Sequence, residues 1–173
     1  MRFIQSLLTL SLVAAPAFAA PITESDNPIS STDETKPTKV LSPRAPFVTC
    51  TPKKNETKTK FIVDVAVAER EMKEAGLVTD KSGDPHHYGN FDGFHWGVHE
   101  CDDKKHQLWE FPIFWVGSKH RWQKNQKTFM QAEKTPIRVV YADVNNTPHY
   151  CGIMIHETVK SNYQGTDHFE KCE

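Results

Sequence analysis

Three ionisable residues interrupt apolar, strand-like stretches, and their types are those of acid–base chemistry. Glu110 lies within Trp109-Glu110-Phe111-Pro112-Ile113, and Arg138 within Ile137-Arg138-Val139-Val140-Tyr141. His156 ends the run Cys151-Gly152-Ile153-Met154-Ile155-His156. A carboxylate and an imidazole form a serviceable base and acid pair near neutral pH. A guanidinium offers a fixed fork of donors to an anion. Side chains alternate across a strand, so Trp109, Phe111 and Ile113 share one face, as do Ile137, Val139 and Tyr141, and Ile153 and Ile155. Glu110, Arg138 and His156 then take the opposite face, and they converge there if the three strands are neighbours. Each alone would fit an exposed sheet residue or a cross-strand ion pair. Three together favour a site, although the pattern alone names no reaction.

The elements that must hold them follow from periodicity. Over residues 64–75, Val65, Ala68, Met72 and Ala75 recur at helical spacing, with Glu69, Arg70, Lys73 and Glu74 on the other face and Gly76 as a natural stop. Everything after that helix reads as strands, at 91–98, 107–114, 137–142 and 150–157, with a short one near Phe169. Turn signals at Ser82-Gly83-Asp84-Pro85 and Asn145-Asn146-Thr147-Pro148 separate them. The expected fold is α+β: one amphipathic helix packed on a twisted antiparallel β-sheet, with the apolar strand faces against the helix.

The amino terminus points to export. Arg2 precedes an apolar run over residues 3–13, and Ala17-Phe18-Ala19 supplies the small residues of a cleavage site. The expected organisation is a signal peptide at 1–19, a flexible leader or propeptide at 20–46, and a folded domain at 47–173. The leader is rich in Ser, Thr, Pro, Asp and Lys and poor in large apolar residues, too few to offset the entropy of ordering. Arg44 is a weak processing signal. No later stretch is apolar enough to span a bilayer, so a secreted, soluble monomer without stable membrane association is expected.

With 21 Lys and Arg against 22 Asp and Glu, the net charge is −1, which excludes a broadly basic coat for nucleic acid. Local basic clusters occur at Lys104-Lys105-His106 and along Lys119, His120, Arg121, Lys124 and Lys127. Their default reading is a solvated loop, and they track phosphate only if the fold sets them near a cleft. Four cysteines in an exported chain imply disulfides with three pairings open. Closing the longest loop favours Cys50–Cys172 and leaves Cys101–Cys151. Asn55-Glu56-Thr57 and Asn145-Asn146-Thr147 are glycosylation sequons. His95, His99, Cys101 and His106 are spaced suggestively for zinc, but Cys101 is better used in a disulfide. Four-residue spacing in strand-like sequence also forms no compact cluster. No metal or other cofactor is expected.

Four motifs in order resemble the secreted fungal guanyl-specific ribonucleases and their relatives, the sarcin-type ribotoxins. They are Pro85-His86-His87-Tyr88 leading to Asn90-Phe91-Asp92-Gly93, then Glu110-Phe111-Pro112, Arg138-Val139-Val140-Tyr141, and Cys151-Gly152-Ile153-Met154-Ile155-His156. Phe169 shortly before Cys172 also fits, and the resemblance spans Cys50 to Cys172. The cysteine positions look ribotoxin-like, which implies the Cys50–Cys172 and Cys101–Cys151 pairing. The resemblance implies that Glu110 takes the proton of a ribose 2′-hydroxyl and that His156 protonates the leaving 5′-oxygen. Arg138 would stabilise the phosphorane-like charge, and His86 would position the nucleophile beside Glu110. A 2′,3′-cyclic phosphate would result, the substrate being single-stranded RNA, with ribosomal RNA among the candidates. DNA, which lacks that hydroxyl, is not a substrate. The resemblance sets Asp92 against the guanine edge, has the backbone of Tyr88, Gly89, Asn90 and Phe91 contact the base, and makes Tyr88 and Phe91 candidates to stack on it. Phe169 would also line the substrate site.

This sequence departs from the family at three single residues and in two segments. Asp84 stands where the small ribonucleases usually carry Tyr, Asp92 is shorter than the more typical Glu, and Gly89 replaces a larger polar residue. The segment 116–135 is longer and more basic than in the small ribonucleases, and the long lysine-rich loop of ribotoxins is lacking between Cys101 and Glu110. These departures bear on guanine strictness and target choice more than on reaction type. A host- or competitor-directed toxin, translocated into cells, is one expectation. The alternative is a non-catalytic RNA- or ribosome-binding effector on the same fold, which the filled positions at His86, Glu110, Arg138 and His156 argue against.

Overall fold

Asp64 starts the one long helix by accepting from the amides of Ala66 (2.8 Å) and Val67 (3.2 Å), satisfying two of the donors a helix start leaves unpaired. That helix, α1, runs Val65–Ala75, and Gly76, at a φ of 69°, ends it with its amide on the Met72 carbonyl. The computed structural model describes residues 46–173. The expected signal peptide and all but the last residue of the leader lie outside the described residues.

Before α1, β1 (Phe47–Cys50) and β3 (Phe61–Asp64) form an antiparallel pair, while the two-residue β2 (Lys54–Asn55) joins a separate sheet. That sheet comprises β4 (His86–Tyr88), β5 (Leu108–Ile113), β6 (Ile137–Val144) and β7 (Thr147–Val159) in the order β2-β7-β6-β5-β4, with β8 (Gly165–Lys171) also pairing β7. All its pairings are antiparallel except β2 with β7. The fold is α+β, a mostly antiparallel sheet with one main helix on one face. Ala68, Met72 and Ala75 of α1 cluster with Phe111, Ile113, Ile137, Val139, Tyr141, Ile153 and Ile155. That apolar set is the one strand alternation selects.

Disulfides join Cys50 to Cys172 and Cys101 to Cys151, across separations of 122 and 50 residues. In the chain-entropy account, loops of that length confer about 4–5 kcal/mol each. The first ties β1 to the carboxyl terminus, where Thr49 and Glu173 also exchange backbone hydrogen bonds.

Strands β1 to β4 lie where the sequence pattern predicts none, and three further features differ from the expectation. Residues 91–98 form a loop rather than a strand, because Asn90, Gly93 and Gly97 all take positive φ. The Asn90 side chain accepts from the Phe94 amide and donates to its carbonyl, both at 2.9 Å. Asp102 accepts from the amides of Trp96 (2.7 Å) and Gly97 (2.9 Å). These side chains satisfy backbone groups that a strand would have paired with a neighbour. Second, a short helix, α2 (His99–Asp102), carries Cys101 into its disulfide. Third, the sheet face opposite α1 is only partly open. Tyr88, Trp96, Cys101, Leu108, Val140, Ala142, Cys151 and Met154 bury one another there as a second, smaller core.

Candidate active site

Register brings the chemical residues onto that second face. His86 is opposite Glu110 across β4 and β5, Glu110 is opposite Val140 on β6, and Arg138 is opposite Met154 on β7. Arg138 lies two residues from Val140 and His156 two residues from Met154. Glu110, Arg138 and His156 therefore occupy one face of three adjacent strands, as diagonal neighbours. On β8, Phe169 is opposite His156.

His86 lies between two carboxylates. Its Nε2 is 2.9 Å from Glu110 Oε1 and its Nδ1 is 3.0 Å from Asp84 Oδ1. Both carboxylates belong to residues that are nearly buried. The hydrogen bond to Asp84, then that to Glu110, push the imidazole pKa up to about 9 against the opposing effect of burial. At neutral pH both ring nitrogens carry protons and both donate. His86 is therefore a cation that orients Glu110, and it has no lone pair with which to act as a base. Glu110 is the group left to accept a proton.

Arg138 is fixed through Nη1, which donates to the carbonyls of Thr135 (3.0 Å) and Ile137 (2.9 Å). Its Nε is 3.7 Å from Glu110 Oε1, too far for a hydrogen bond, and is buried without a hydrogen-bond partner among the described residues. A buried unsatisfied donor on a fixed guanidinium is costly. The Arg138 side chain stays 17% exposed, and that part can offer donors to an anion.

His156 is held differently. Its ring lies 4.0 Å from the Phe169 ring, tilted by 31°, and its Nδ1 is 3.2 Å from the Asp167 carbonyl. A carbonyl can only accept, so Nδ1 carries the proton and Nε2 is the basic nitrogen. Burial, and then the Arg138 charge, lower the pKa to about 4. Gly165 is needed here, since a Cβ on it would come within 2.2 Å of the His156 ring.

A cavity of about 340 Å³ runs from His86 and Glu110 past Tyr88, Gly89 and Phe91 to Asp92, His168 and Phe169. Phe91 is 93% exposed and folds its ring over Gly89, where a Cβ would meet it at 2.5 Å. Tyr88 is not available for stacking, a correction to the sequence expectation. It is 6% exposed, its ring edge meets Phe169, and its hydroxyl reaches Asn90 (3.3 Å) and Asp92 (3.4 Å). It is a prop beneath the loop. Asn90 braces that loop through Phe94, as described above, and Asp92 Oδ1 is 2.9 Å from His168 Nδ1. Phe169 packs on both His156 and Tyr88.

Sequence reasoning missed the roles of Asp84, Thr135, Gly165 and His168. Asp84 carried a signal, a carboxylate two residues from His86, which on an extended chain can reach the same ring. The others depend on pairings between distant segments. The basic loop is turned largely to the helix side: Arg121 pairs with Glu71 (3.2 Å) and Glu74, and Lys124 donates to the Ala75 carbonyl (2.7 Å). Of the residues spaced for zinc, Cys101 is in a disulfide, His95 lies beside Asp102 (3.4 Å) and His106 is on the Asp143 carbonyl (3.1 Å).

A family model described as ribonuclease matches residues 50–173. Among solved structures, hirsutellin A from Hirsutella thompsonii is similar, with 49% sequence identity and a TM-score of 0.66. That match covers 75% of this chain and 100% of that one. The cytotoxic ribonuclease α-sarcin is similar in fold, at 23% identity and a TM-score of 0.54, covering 75% of this chain and 99% of the other. No curated protein matches the chain.

Proposed function

The chain belongs to the ribonuclease family, and from that premise we propose that it is an exported endoribonuclease cutting single-stranded RNA after guanine by attack of the 2′-hydroxyl. The observation that carries this reading is the shared face on which Glu110, Arg138 and His156 stand, with His86 bound to Glu110 at 2.9 Å. Glu110 removes the 2′-hydroxyl proton, O2′ bonds to phosphorus, and the bond from phosphorus to O5′ breaks as His156 Nε2 gives O5′ a proton. The products are a 2′,3′-cyclic phosphate and a free 5′-hydroxyl. The Arg138 guanidinium meets the charge that grows on the phosphoryl oxygens. The nucleophile belongs to the substrate, so none of these steps calls on a metal.

The acid step requires His156 to hold a proton, and in the resting protein its pKa of about 4 leaves it neutral near pH 7. A phosphodiester anion against Arg138 offsets the guanidinium charge and draws the imidazole pKa back up. Substrate binding then arms its own acid. Asp92 would take the guanine edge, with Phe91 stacked on the base. The amino-terminal sequence supports export, and the similarity to a cytotoxic ribonuclease supports a toxin acting on ribosomal or other RNA of a host or competitor cell.

The test is end-mapping on a defined RNA with and without EDTA. The expected products are guanosine 2′,3′-cyclic phosphate ends in both, lost with Glu110→Gln. Unchanged RNA decay or toxicity in that variant would refute catalysis by this site.

A further inference from the structure

We propose that His168 is a specificity-positioning residue that fixes the Asp92 carboxylate for the base, an inference that rests on the guanine reading above. Asp92 is one methylene shorter than glutamate, and a short carboxylate needs its orientation set by neighbours. Two donors do so, His168 Nδ1 at 2.9 Å from Oδ1 and the Tyr88 hydroxyl at 3.4 Å from Oδ2. A carboxylate has about four lone-pair sites, so each oxygen keeps one for an incoming donor. A guanine edge presents two parallel N–H groups, and adenine presents none in that arrangement.

The backbone is shaped to deliver this ring. His156 pairs with Phe169 and Thr158 with Thr166, so β8 carries one extra residue between them. Asp167, at a φ of 67°, lies in that bulge. Glu157 and Glu170 both bind Lys53, which marks the opposite side of the β7–β8 pair. Regular alternation would turn His168 toward that side with Glu170. The bulge turns it instead to Asp92 at the rim of the cavity, as bulges beside active sites re-aim side chains. The same bulge presents the Asp167 carbonyl to His156. One irregularity therefore sets both the acid and the base reader.

The experiment compares kcat and KM on dinucleotide substrates with guanine or adenine upstream of the scissile phosphate. His168→Ala should lower the guanine-to-adenine ratio of kcat/KM roughly fivefold to tenfold, a typical loss for one orienting hydrogen bond, chiefly through KM. His168→Asn places an amide N–H near the position of Nδ1 and should keep most of the ratio. The His156 ring titration should be unchanged in both. A ratio that is unchanged or raised in His168→Ala would overturn the proposal, a raised one showing that the imidazole occupies the place of the base. Asp92→Ala separates the two levels: if it retains full guanine preference, the guanine reading fails and this inference with it. If it abolishes the preference while His168→Ala does not change it, only the positioning role fails.

Discussion

The β4–β5 end of the site and the β7–β8 end each hold an imidazole, in opposite charge states. At the first, His86 is clasped by Asp84 and Glu110 and its pKa rises to about 9. At the second, His156 is covered by Phe169, contacts only a carbonyl through Nδ1, and faces the Arg138 charge, so its pKa falls to about 4. The residue type is identical and the surroundings decide the role. Two carboxylates keep His86 cationic at neutral pH, where the proposed mechanism has it order Glu110, while burial beside a guanidinium leaves His156 neutral until, in that mechanism, an anion arrives. Environments that push two groups apart in this way assign acid and base.

The largest expected effects come from removing either end. Glu110→Gln and His156→Gln should each lower kcat by about 10²–10⁴ on a guanylyl dinucleotide. The double variant should lose far less than the product of the two, because the pair acts as a unit. Independent, multiplying losses would break the comparison. Next comes the residue between the ends. Arg138→Gln should lower kcat by about 10²–10³. It should also raise the His156 pKa from about 4, which a pH series of ring NMR shifts would show. A fall would contradict the account.

A smaller effect is expected at Asp84. Asp84→Asn removes the stronger of the two partners, so the His86 pKa should drop from about 9 toward its ordinary value of 6.5. His86 binds its proton more tightly folded than unfolded. Its contribution to stability is therefore complete below about pH 6.5 and is lost as pH rises through about 9. His156 has the opposite sign, with a contribution present above about 6.5 and lost as pH falls through about 4. Urea titrations across pH should show the alkaline loss shrink in Asp84→Asn while the acid loss stays. The smallest effect concerns kinetics alone. The kcat/KM profile reports the free protein and kcat the complex, so the alkaline limb of kcat/KM should lie at lower pH than that of kcat.

Much of this site was legible because period-2 alternation reports which face a residue takes. Trp109, Phe111 and Ile113 point one way, Glu110 the other, and neighbouring strands do the rest. The α1 boundary was equally plain, since Asp64 caps and Gly76 stops it through local bonds. Residues 91–98 misled because aromatic spacing looks strand-like, while Asn90 and Asp102 satisfy the loop backbone through side chains. Tyr88 misled because the second core that buries it is assembled from β4 to β7, which no local pattern reveals. His168 was illegible for a related reason: a bulge is a property of pairing, and β8 acquires it only against β7.

In the proposed mechanism, substrate phosphate arms His156 while His86 stays charged at neutral pH. The most direct test is an NMR titration of both rings, with the protein alone and with saturating guanosine 3′-monophosphate. The expected values are near 9 for His86 and near 4 for His156 in the free protein, with His156 moving up on binding and His86 still protonated at neutral pH. Two rings titrating together near 6.5, with His156 unmoved by the nucleotide, would contradict it.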